Sequence, residues 1–214
     1  MYGNRVITIG REFGSGGRTV GGKLAKRLGV KLYDKELITM AAEQTGMSEE
    51  VFQTHDEKPV SSFFYSLVMD THSTGPGFGG YNMPLNQKVF LAQFEAIQKL
   101  AEQESCIIVG RCADYALSSY PNTVNVFLCA DLEDKVKRIA EMYNITNDKA
   151  LDMIPKTDKK RANYYNYYSS KKWGNSASYD LCINTSRIGT DGAVEVILAY
   201  LEQKDKMNQK AETE

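Results

Sequence analysis

Residues 6–19 read Val-Ile-Thr-Ile-Gly-Arg-Glu-Phe-Gly-Ser-Gly-Gly-Arg-Thr. The apolar run 6–9 is typical of a buried strand, and the glycines after it predict a tight turn that leads into a helix. Such a turn presents backbone N–H groups and a helix N-terminus to an anion. Gly14, Gly16 and Gly17 can adopt positive φ and let a phosphate approach the backbone closely. The segment therefore predicts a phosphate-binding loop and a nucleotide ligand.

The loop departs from the usual phosphate-loop motif at two positions. That motif ends in Gly-Lys-Ser/Thr, and the corresponding residues here are Gly17, Arg18 and Thr19. Glu12 stands where the first glycine of the motif belongs. Because arginine is a planar fork and lysine a point charge, Arg18 would contact a phosphate in a different geometry. The hydroxyl of Thr19 remains suited to Mg²⁺.

Two other interpretations of the same glycines stay open. Gly14 and Gly16 begin a dinucleotide-binding fingerprint, in which Asp34 would contact the ribose, although Thr19 takes the place of the third glycine. A flexible turn without a ligand is the simpler alternative. We favour the phosphate loop because strand, glycines, cation, hydroxyl and helix follow one another in that order.

Length and composition are those of an ordinary globular domain. The chain has 214 residues, of which 42% are hydrophobic and 25% charged, and its formal net charge is −1. This balance provides no global basic field for nucleic acid or an anionic membrane, and no apolar run approaches the roughly 20 residues that span a bilayer. The N-terminus enters a strand without a signal-peptide region, which favours the cytoplasm. Four cysteines without paired spacing and two histidines predict no zinc site.

Alternating apolar runs and helical patterns predict an α/β fold with a parallel sheet. Five runs are predicted strands: Val6–Ile9, Val30–Tyr33, Cys106–Val109, Val124–Cys129 and Leu181–Asn184. Helical spacing of apolar residues predicts five helices: Thr19–Leu28, Lys35–Gln44, Leu85–Gln103, Leu132–Tyr143 and Asp191–Leu201.

Two long connections exceed what a minimal sheet requires, so we expect them to carry function. The first, 35–84, includes the glycine-rich segment Ser73–Tyr81, which we expect to be mobile. The second, 144–180, concentrates lysine, arginine and tyrosine. The polar segment 203–214 at the end of the chain is expected to be a frayed tail.

Cations cluster within the second connection. Lys156, Lys159, Lys160 and Arg161 surround Asp158, and in a helix Asp158 and Arg161 share a face. Phosphoryl transfer needs positive charge around the transferred group and the exclusion of water. The segment is suited to that task, and a solvated charged helix is the plain alternative.

Three charged residues fall at or just beyond predicted strand ends: Asp34, Arg111 and Asp114. In an open parallel sheet, ligands bind at that edge. Arg111 would clamp a phosphate bidentately, or it would form a structural ion pair. Asp34 would orient Mg²⁺-bound water, accept a proton, or bind a sugar or base, or it would cap the helix that starts at Lys35.

Aromatic residues lie beside the same cations. Residues 164–173 contain four tyrosines, two lysines and Trp173. Such a segment can stack on unpaired bases. Binding of single-stranded RNA therefore stays open as an alternative, although the neutral net charge makes nucleic acid a poor match.

Together these segments resemble the cytidylate-kinase-like family of P-loop nucleoside monophosphate kinases. The resemblance extends from about residue 5 to residue 200. It is carried by five segments: Ile9–Arg18, Leu24–Asp34, Val109–Arg111, Lys156–Arg161 and Tyr179–Thr185. Each segment alone is weak, and the combination is specific.

The resemblance implies one kinase domain over residues 1–202, with a three-layer P-loop fold and a five-stranded parallel sheet in the order 2-3-1-4-5. A monophosphate-binding insert would occupy residues 35–95 and a lid residues 155–175. The core would then consist of three pieces: 1–34, 96–154 and 176–202. Closure of such a lid over the phosphates would exclude water.

The resemblance also implies roles for individual residues. The ATP phosphates would be held by Gly14, Ser15, Gly16, Gly17, Arg18 and Thr19. Thr19 would in addition bind Mg²⁺. Catalytic roles would fall to Arg18, Arg161, Lys156 and Asp158. The acceptor would be bound by Asp34, Arg111 and Asp114.

The resulting hypothesis is ATP- and Mg²⁺-dependent phosphoryl transfer to a small acceptor, most simply a nucleoside monophosphate such as CMP. Cytidylate kinases follow their second strand with residues that contact the nucleotide, but here Lys35–Ile38 stand there and no base-reading set is visible. A nucleotide-binding regulatory module without catalysis is therefore the second hypothesis. The sequence leaves open whether the chain forms a homodimer.

Overall fold

A single parallel β-sheet forms the centre of the computed structural model, which describes residues 4–46, 48–57 and 84–211. Its strands are β1 (Val6–Arg11), β2 (Lys31–Tyr33), β3 (Cys106–Val109), β4 (Thr123–Cys129) and β5 (Leu181–Asn184). They lie in the order β2-β3-β1-β4-β5, and every neighbouring pair is parallel. The predicted α/β class and the strand order 2-3-1-4-5 are confirmed.

The central strand β1 is buried on both faces. Ile7 pairs with Ile107 of β3 on one side and with Val124 of β4 on the other, and all three side chains are at most 1% exposed. Continuous apolar runs of this kind are typical of parallel strands that are covered by helices above and below.

Helices cover both faces of the sheet. Within the described residues they are α1 (Gly17–Leu28), α2 (Glu36–Thr45), α3 (Glu49–His55), α4 (Leu85–Gln103), α5 (Ala113–Ala116), α6 (Leu132–Tyr143), α7 (Asn147–Ser169) and α8 (Thr185–Ala211), which is kinked at the non-helical Gly189. Helices α1 and α8 pack against one face, whereas α2, α4 and α5 pack against the other. The two layers leave the carboxyl ends of the strands accessible between them.

Residues 203–211 of the polar segment are helical and not frayed as expected, because α8 continues through them. Lys204 Nζ donates a hydrogen bond to the carbonyl oxygen of Thr123 (2.9 Å), and Asp205 pairs with Arg5. These contacts hold the end of the helix against the sheet. Polar composition therefore indicates a solvent-facing helix here.

The division into core, insert and lid stays a prediction. Its boundaries at residues 95 and 155 fall inside the continuous helices α4 and α7. The segment Ser73–Tyr81, which was expected to be mobile, lies outside the described residues.

Candidate active site

A cleft of ≈ 320 Å³ opens at the carboxyl ends of β1, β2 and β3. Arg11 ends β1, Asp34 follows β2 and Arg111 follows β3, and all three line this cleft. Helices α6 and α7 contribute Arg138 and Arg161. The parallel sheet thus gathers charged residues at the edge where ligands bind in such folds.

The glycine-rich loop has the backbone conformation that a phosphate site requires. Gly14 and Gly16 have φ values of 86° and 81°, and α1 begins directly afterwards at Gly17. A Cβ atom at Gly17 would lie 2.7 Å from Cβ of Arg11, so the loop has no room for a side chain there. The first turn of α1, with its free N–H groups, lines the cleft.

The side chains of the loop are divided between the interior and the cleft. Ser15 is buried, and its hydroxyl donates a hydrogen bond to the carbonyl oxygen of Glu12 (2.9 Å). Arg18 and Thr19 are exposed and line the cleft. Nε of Arg18 lies 3.5 Å from Oδ2 of Asp34. A phosphate in this loop would therefore meet backbone N–H groups, the Arg18 guanidinium and the Thr19 hydroxyl.

Three arginines and three carboxylates meet in the cleft. We call the arginines the arginine cluster: Arg11, Arg111 and Arg161. The carboxylates are Asp34, Asp56 and Glu57. Arg111 is 5% exposed and donates to both oxygens of Asp56, from Nε (3.3 Å) and from Nη2 (2.9 Å), and it also pairs with Asp34. The predicted phosphate clamp thus holds carboxylates in this structure.

Glu57 joins the other two arginines. Its Oε1 accepts a hydrogen bond from Nη1 of Arg11 (2.8 Å), and its Oε2 lies 3.4 Å from Nε of Arg161. The guanidinium of Arg161 also lies over the ring of Phe13, 5.5 Å from the centroid. Arg11 reaches Glu57 by passing over Gly110, where a Cβ atom would collide with Nη1 of Arg11. Glycine after β3 is therefore a requirement of this cluster.

The charges in the cluster determine its titration. Burial alone would raise the pKa of Glu57, but Arg11, Arg111 and Arg161 hold this pKa well below its usual range. Burial would lower the pKa of Arg111, and the neighbouring Asp56, Glu57 and Asp34 raise it instead. Burial, reinforced by Arg11, lowers the pKa of Arg161. Glu57 is therefore fully ionised near neutral pH.

Arg161 is the predicted lid cation that reaches the cleft. Asp158, one turn before it, does not line the cleft: it accepts a hydrogen bond from the backbone N–H of Phe13 (2.6 Å) and lies 3.4 Å from Nζ of Lys135. Burial raises the pKa of Asp158, and the Phe13 hydrogen bond partly offsets this. Lys156 is exposed and pairs with Asp152 at 2.6 Å. In this geometry Asp158 positions α7 on the phosphate loop, and Lys156 lies apart from it.

Asp114 lies beneath the cleft and does not line it. Its Oδ2 accepts a hydrogen bond from the hydroxyl of Tyr165 (2.6 Å), and Nζ of Lys171 lies 3.9 Å away. Burial raises the pKa of Asp114, and the Tyr165 hydrogen bond opposes this shift. Asp114 therefore anchors α7 to the turn after β3.

The tyrosines that suggested RNA binding are largely packed inside the protein. Tyr164 and Tyr165 are 4% and 5% exposed. Tyr168 stacks on Phe90, with ring centroids 3.9 Å apart, and Trp173 packs edge-on against Phe127. Since these rings are covered by other rings of the protein, the geometry gives the RNA-binding alternative no support in this segment.

Sequence reasoning missed part of the cluster. Arg11 directly ends β1, and the rule that drew attention to Asp34 and Arg111 would have identified it. No sequence pattern connects Asp56 or Glu57 to arginines that lie 46 and 55 residues away along the chain. Their role depends on where the end of α3 is placed in space.

Helix α6 supplies a second missed cation and an apolar end to the cleft. Nη1 of Arg138 donates a hydrogen bond to the carbonyl oxygen of Gly14. Ile139, Met142 and Tyr143 continue the lining beyond it, and the exposed fractions of Met142 and Tyr143 are 62% and 50%. Apolar side chains exposed beside a phosphate loop provide a surface for the base of a nucleotide.

A second cleft of ≈ 510 Å³ lies between α2 and α3 and adjoins the first. Lys35, Asp56 and Arg111 line both clefts. The residues that line the second cleft alone are Glu36, Thr39, Glu49 and Gln53. Arg111 thus lies where the two clefts meet.

Comparisons with known proteins agree with this geometry. A family model described as the cytidylate kinase-like family matches residues 6–187. A cytidylate kinase from Pyrococcus horikoshii is 25% identical over 202 residues, which cover 94% of this chain and 90% of the relative. One from Saccharolobus islandicus is 28% identical over 120 residues, 56% of this chain and 61% of the relative.

Solved structures show the same fold. An uncharacterized protein from Eubacterium ventriosum superposes with a TM-score of 0.69 at 32% identity, covering 93% of this chain and 99% of that one. A shikimate kinase from Bacteroides thetaiotaomicron superposes with a TM-score of 0.54 at 16% identity, covering 92% and 98%. The latter likeness concerns the fold alone.

The sheet order and the phosphate loop define a P-loop kinase fold. The chain belongs to the cytidylate kinase-like family, since the family model covers most of its length. This confirms the resemblance seen in the sequence. Membership of this family and the cytidylate kinase relatives support activity as a nucleotide kinase with ATP as co-substrate.

The described residues contain neither a cluster of metal-ligating side chains nor a membrane-spanning helix. No group of three or more His, Cys, Asp or Glu side chains that could hold a metal ion occurs among them. In the same part of the chain, no helix has the length and apolar character needed to cross a bilayer.

Proposed function

We propose that this protein transfers the γ-phosphoryl group of ATP to a small acceptor, in the first place a nucleoside monophosphate such as CMP. One observation carries the proposal: the phosphate loop and the arginine cluster open onto the same cleft. Donor phosphates on the loop would then lie beside arginine side chains whose positive charge can bind an acceptor phosphate.

The donor would bind along the loop. Backbone N–H groups of Gly14, Gly16 and Gly17 would hold its phosphates, with Arg18 adding charge from the first turn of α1. The N–H of Ser15 donates instead to the carbonyl oxygen of Glu12 (3.2 Å). The exposed apolar side chains Met142 and Tyr143 would cover one face of the base. This arrangement binds ATP through shape and phosphate charge, so it predicts modest selectivity for the donor base.

The acceptor would approach from the second cleft. Its phosphate would be clamped by Arg111, which lines both clefts. The remainder of the acceptor would lie between α2 and α3, against the polar side chains Glu36, Thr39 and Gln53. Carboxylate and amide groups in such a pocket accept hydrogen bonds from the amino and hydroxyl groups of a nucleoside.

The transfer needs no covalent enzyme intermediate. An oxygen of the acceptor phosphate attacks the γ-phosphorus, the bond from this phosphorus to the β–γ bridging oxygen breaks, and ADP leaves with a nucleoside diphosphate as the second product. Arg161 and Arg18 would stabilise the charge on the transferred group, and the loop would align it. Asp158 would contribute by holding Arg161 in place through its contact with Phe13.

Mg²⁺ fits the residues present. The hydroxyl of Thr19 and the carboxylate of Asp34 both line the cleft beside the loop. Mg²⁺ keeps several water ligands and binds through few protein groups together with substrate phosphates, so a cluster of three acids is not required. When bound, the ion would neutralise phosphate charge.

The test is a transfer assay with labelled ATP and Mg²⁺, in which CMP, dCMP, UMP, AMP and GMP are offered separately as acceptors. We expect a labelled diphosphate from at least one of them, and a loss of turnover of about 100-fold in Arg18→Ala, the scale for removing one preorganised cation. Arg27→Ala is the matched control, since Arg27 lies on the same helix and pairs with Glu195 on the surface. ATP binding without transfer to any acceptor would instead favour the regulatory module.

A further inference from the structure

The arginine cluster is neutralised from within the chain. Of the three carboxylates that neutralise it, Asp56 and Glu57 come from the end of α3. This part of the chain is remote in sequence from each arginine that the two carboxylates contact. Asp34 follows β2 and is fixed by the sheet. The neutralising charges thus fall into one that belongs to the core and two that α3 brings in.

The charges delivered by α3 equal those of a phosphate monoester. Asp56 and Glu57 bring two negative charges to the arginine cluster. Without them, the three guanidinium groups would face only Asp34, which also lies 3.5 Å from Nε of Arg18. A phosphate monoester carries about −1.5 to −2 charges near neutral pH. It would therefore restore the balance that these two carboxylates provide here.

The contact geometry is also that of a phosphate. Asp56 receives two parallel hydrogen bonds from the Arg111 fork, at 3.3 and 2.9 Å, as a phosphate edge would. Glu57 spans Arg11 and Arg161 with its two oxygens. The contact with Arg161 is imperfect, because Nε of Arg161 is buried and makes no hydrogen bond within the described residues.

The backbone that delivers the second carboxylate is strained. Glu57 has a φ of 52°, a left-handed conformation that L residues other than glycine rarely adopt. Glu57 directly follows Asp56, where α3 has ended in extended backbone. The ion pairs hold this strained turn, so a competing anion that takes over the arginines also releases the strain.

We propose that Asp56 and Glu57 form an internal counter-anion that occupies the phosphate site of the unliganded protein, and that a phosphate-bearing ligand must displace them to bind. The identity of that ligand as a substrate rests on the proposed function, but the displacement itself requires only a phosphate dianion. Only those molecules in which the carboxylates have left the site can bind phosphate, so the apparent Kd is the intrinsic Kd divided by the fraction of such molecules. Removing one carboxylate charge makes that fraction larger and lowers the apparent Kd.

The experiment compares the binding of inorganic phosphate to the wild type, Glu57→Gln and Glu50→Gln at constant ionic strength, by calorimetry. Glu50 is the matched control: it is exposed, lies on α3 and does not line either cleft. We expect the Kd for phosphate to fall about tenfold in Glu57→Gln, as when a competent fraction of roughly one tenth becomes dominant, and to stay unchanged in Glu50→Gln. An unchanged or higher Kd in a folded Glu57→Gln would overturn the proposal.

A second variant and a second readout keep the proposal testable if Glu57→Gln does not fold. If Glu57→Gln does not fold, Asp56→Asn is measured in its place with the same expectation. In the wild type, phosphate should speed amide hydrogen exchange across residues 51–57, because the end of α3 loses its ion pairs. Slower exchange would mean that the carboxylates stay in the site with the anion, which contradicts displacement.

Two pairs of ligands, compared by the same hydrogen-exchange measurement, identify which phosphate displaces the carboxylates. Faster exchange with CMP but not with cytidine assigns the site to an acceptor phosphate, and faster exchange with ATP but not with ADP assigns it to the γ-phosphate of the donor. Either assignment supports displacement. Phosphate-driven exchange without turnover would refute the proposed kinase function and leave this inference standing, whereas turnover without any effect of Glu57→Gln on phosphate binding would refute only this inference.

Discussion

The hydrogen bond from Tyr165 to Asp114 should be one of the strongest single attachments of α7 to the core. Both side chains are buried, at 5% and 7% exposure, and the hydroxyl lies 2.6 Å from the carboxylate. Substitution Tyr165→Phe removes one oxygen and keeps the ring packing. A hydrogen bond to a charged group contributes about 1.5–3 kcal/mol, so we expect a loss of about 2 kcal/mol in the free energy of unfolding.

Thermal unfolding measures this loss directly. For a domain of this size each kcal/mol lowers Tm by about 2–4 °C, so the expected decrease is about 4–8 °C. Tyr167→Phe on the same helix is the matched control: Tyr167 is 42% exposed, and its hydroxyl should contribute less than about 0.5 kcal/mol. Equal Tm values for the two variants would refute the anchoring role of the Tyr165 hydroxyl.

The pH dependence of the Tyr165→Phe effect has a definite sign. Burial raises the pKa of Asp114, and the Tyr165 hydroxyl opposes this by stabilising the charged form. Without the hydroxyl the pKa of Asp114 rises further. The stability difference between wild type and variant is therefore complete above the Asp114 pKa of the variant and shrinks as the pH falls through it. A gap that widens on acidification would contradict this account.

Three further outcomes follow from the same geometry. Gly14→Ala should lower the free energy of unfolding by about 1–3 kcal/mol, because Gly14 has a φ of 86° and the new Cβ would lie 3.0 Å from the carbonyl oxygen of Lys135. It should also weaken ATP binding, measured by a thermal-shift titration. Lys156→Ala should leave turnover within about twofold of wild type, because Lys156 does not line the cleft. The loss of its exposed ion pair with Asp152 should lower stability by at most about 1 kcal/mol. A loss of turnover near that of Arg18→Ala would show that Lys156 reaches the phosphates. Because the pKa of Glu57 is lowered in the folded protein, wild type should be more stable than Glu57→Gln above pH 4.5, the ordinary pKa of a glutamate, and should lose this extra stability as the pH falls below it. The Tm values of the two proteins should therefore converge on acidification. A Tm difference that does not change with pH would argue against the ion pairs.

Residues 14–19 show how far local sequence could predict the site. Glycines after an apolar run specify a turn with positive φ, and the structure gives Gly14 and Gly16 that conformation ahead of a helix. The helix begins at Gly17 instead of Thr19, directly after the left-handed Gly16, so it includes the last glycine of the loop. Local backbone preference is a short-range property, so the sequence states it directly.

The sequence could not show which cation of the predicted lid reaches the cleft. Lys156 and Arg161 both belong to one charged run, yet only Arg161 lines the cleft. The rotation of α7 decides this, and it is set by the burial of Ile154, Tyr164 and Tyr165 against other helices. Helical periodicity identifies that these residues share a face, but the partner surface determines which way the face turns.

By itself the sequence determined the five strands, five of the helices in the described residues and the phosphate loop, because strand runs, helix spacing and glycine turns are encoded within a few neighbouring residues. The sheet order came from the family resemblance, and α3, α5 and α7 were not predicted. Only the tertiary structure decided the charge state of the cleft. Arg111 was predicted to clamp a phosphate or to form a structural ion pair, and in this structure it pairs with Asp34 and Asp56, which approach from two other segments. An ion pair depends on where remote parts of the chain come to lie, and that is set by packing of the whole domain.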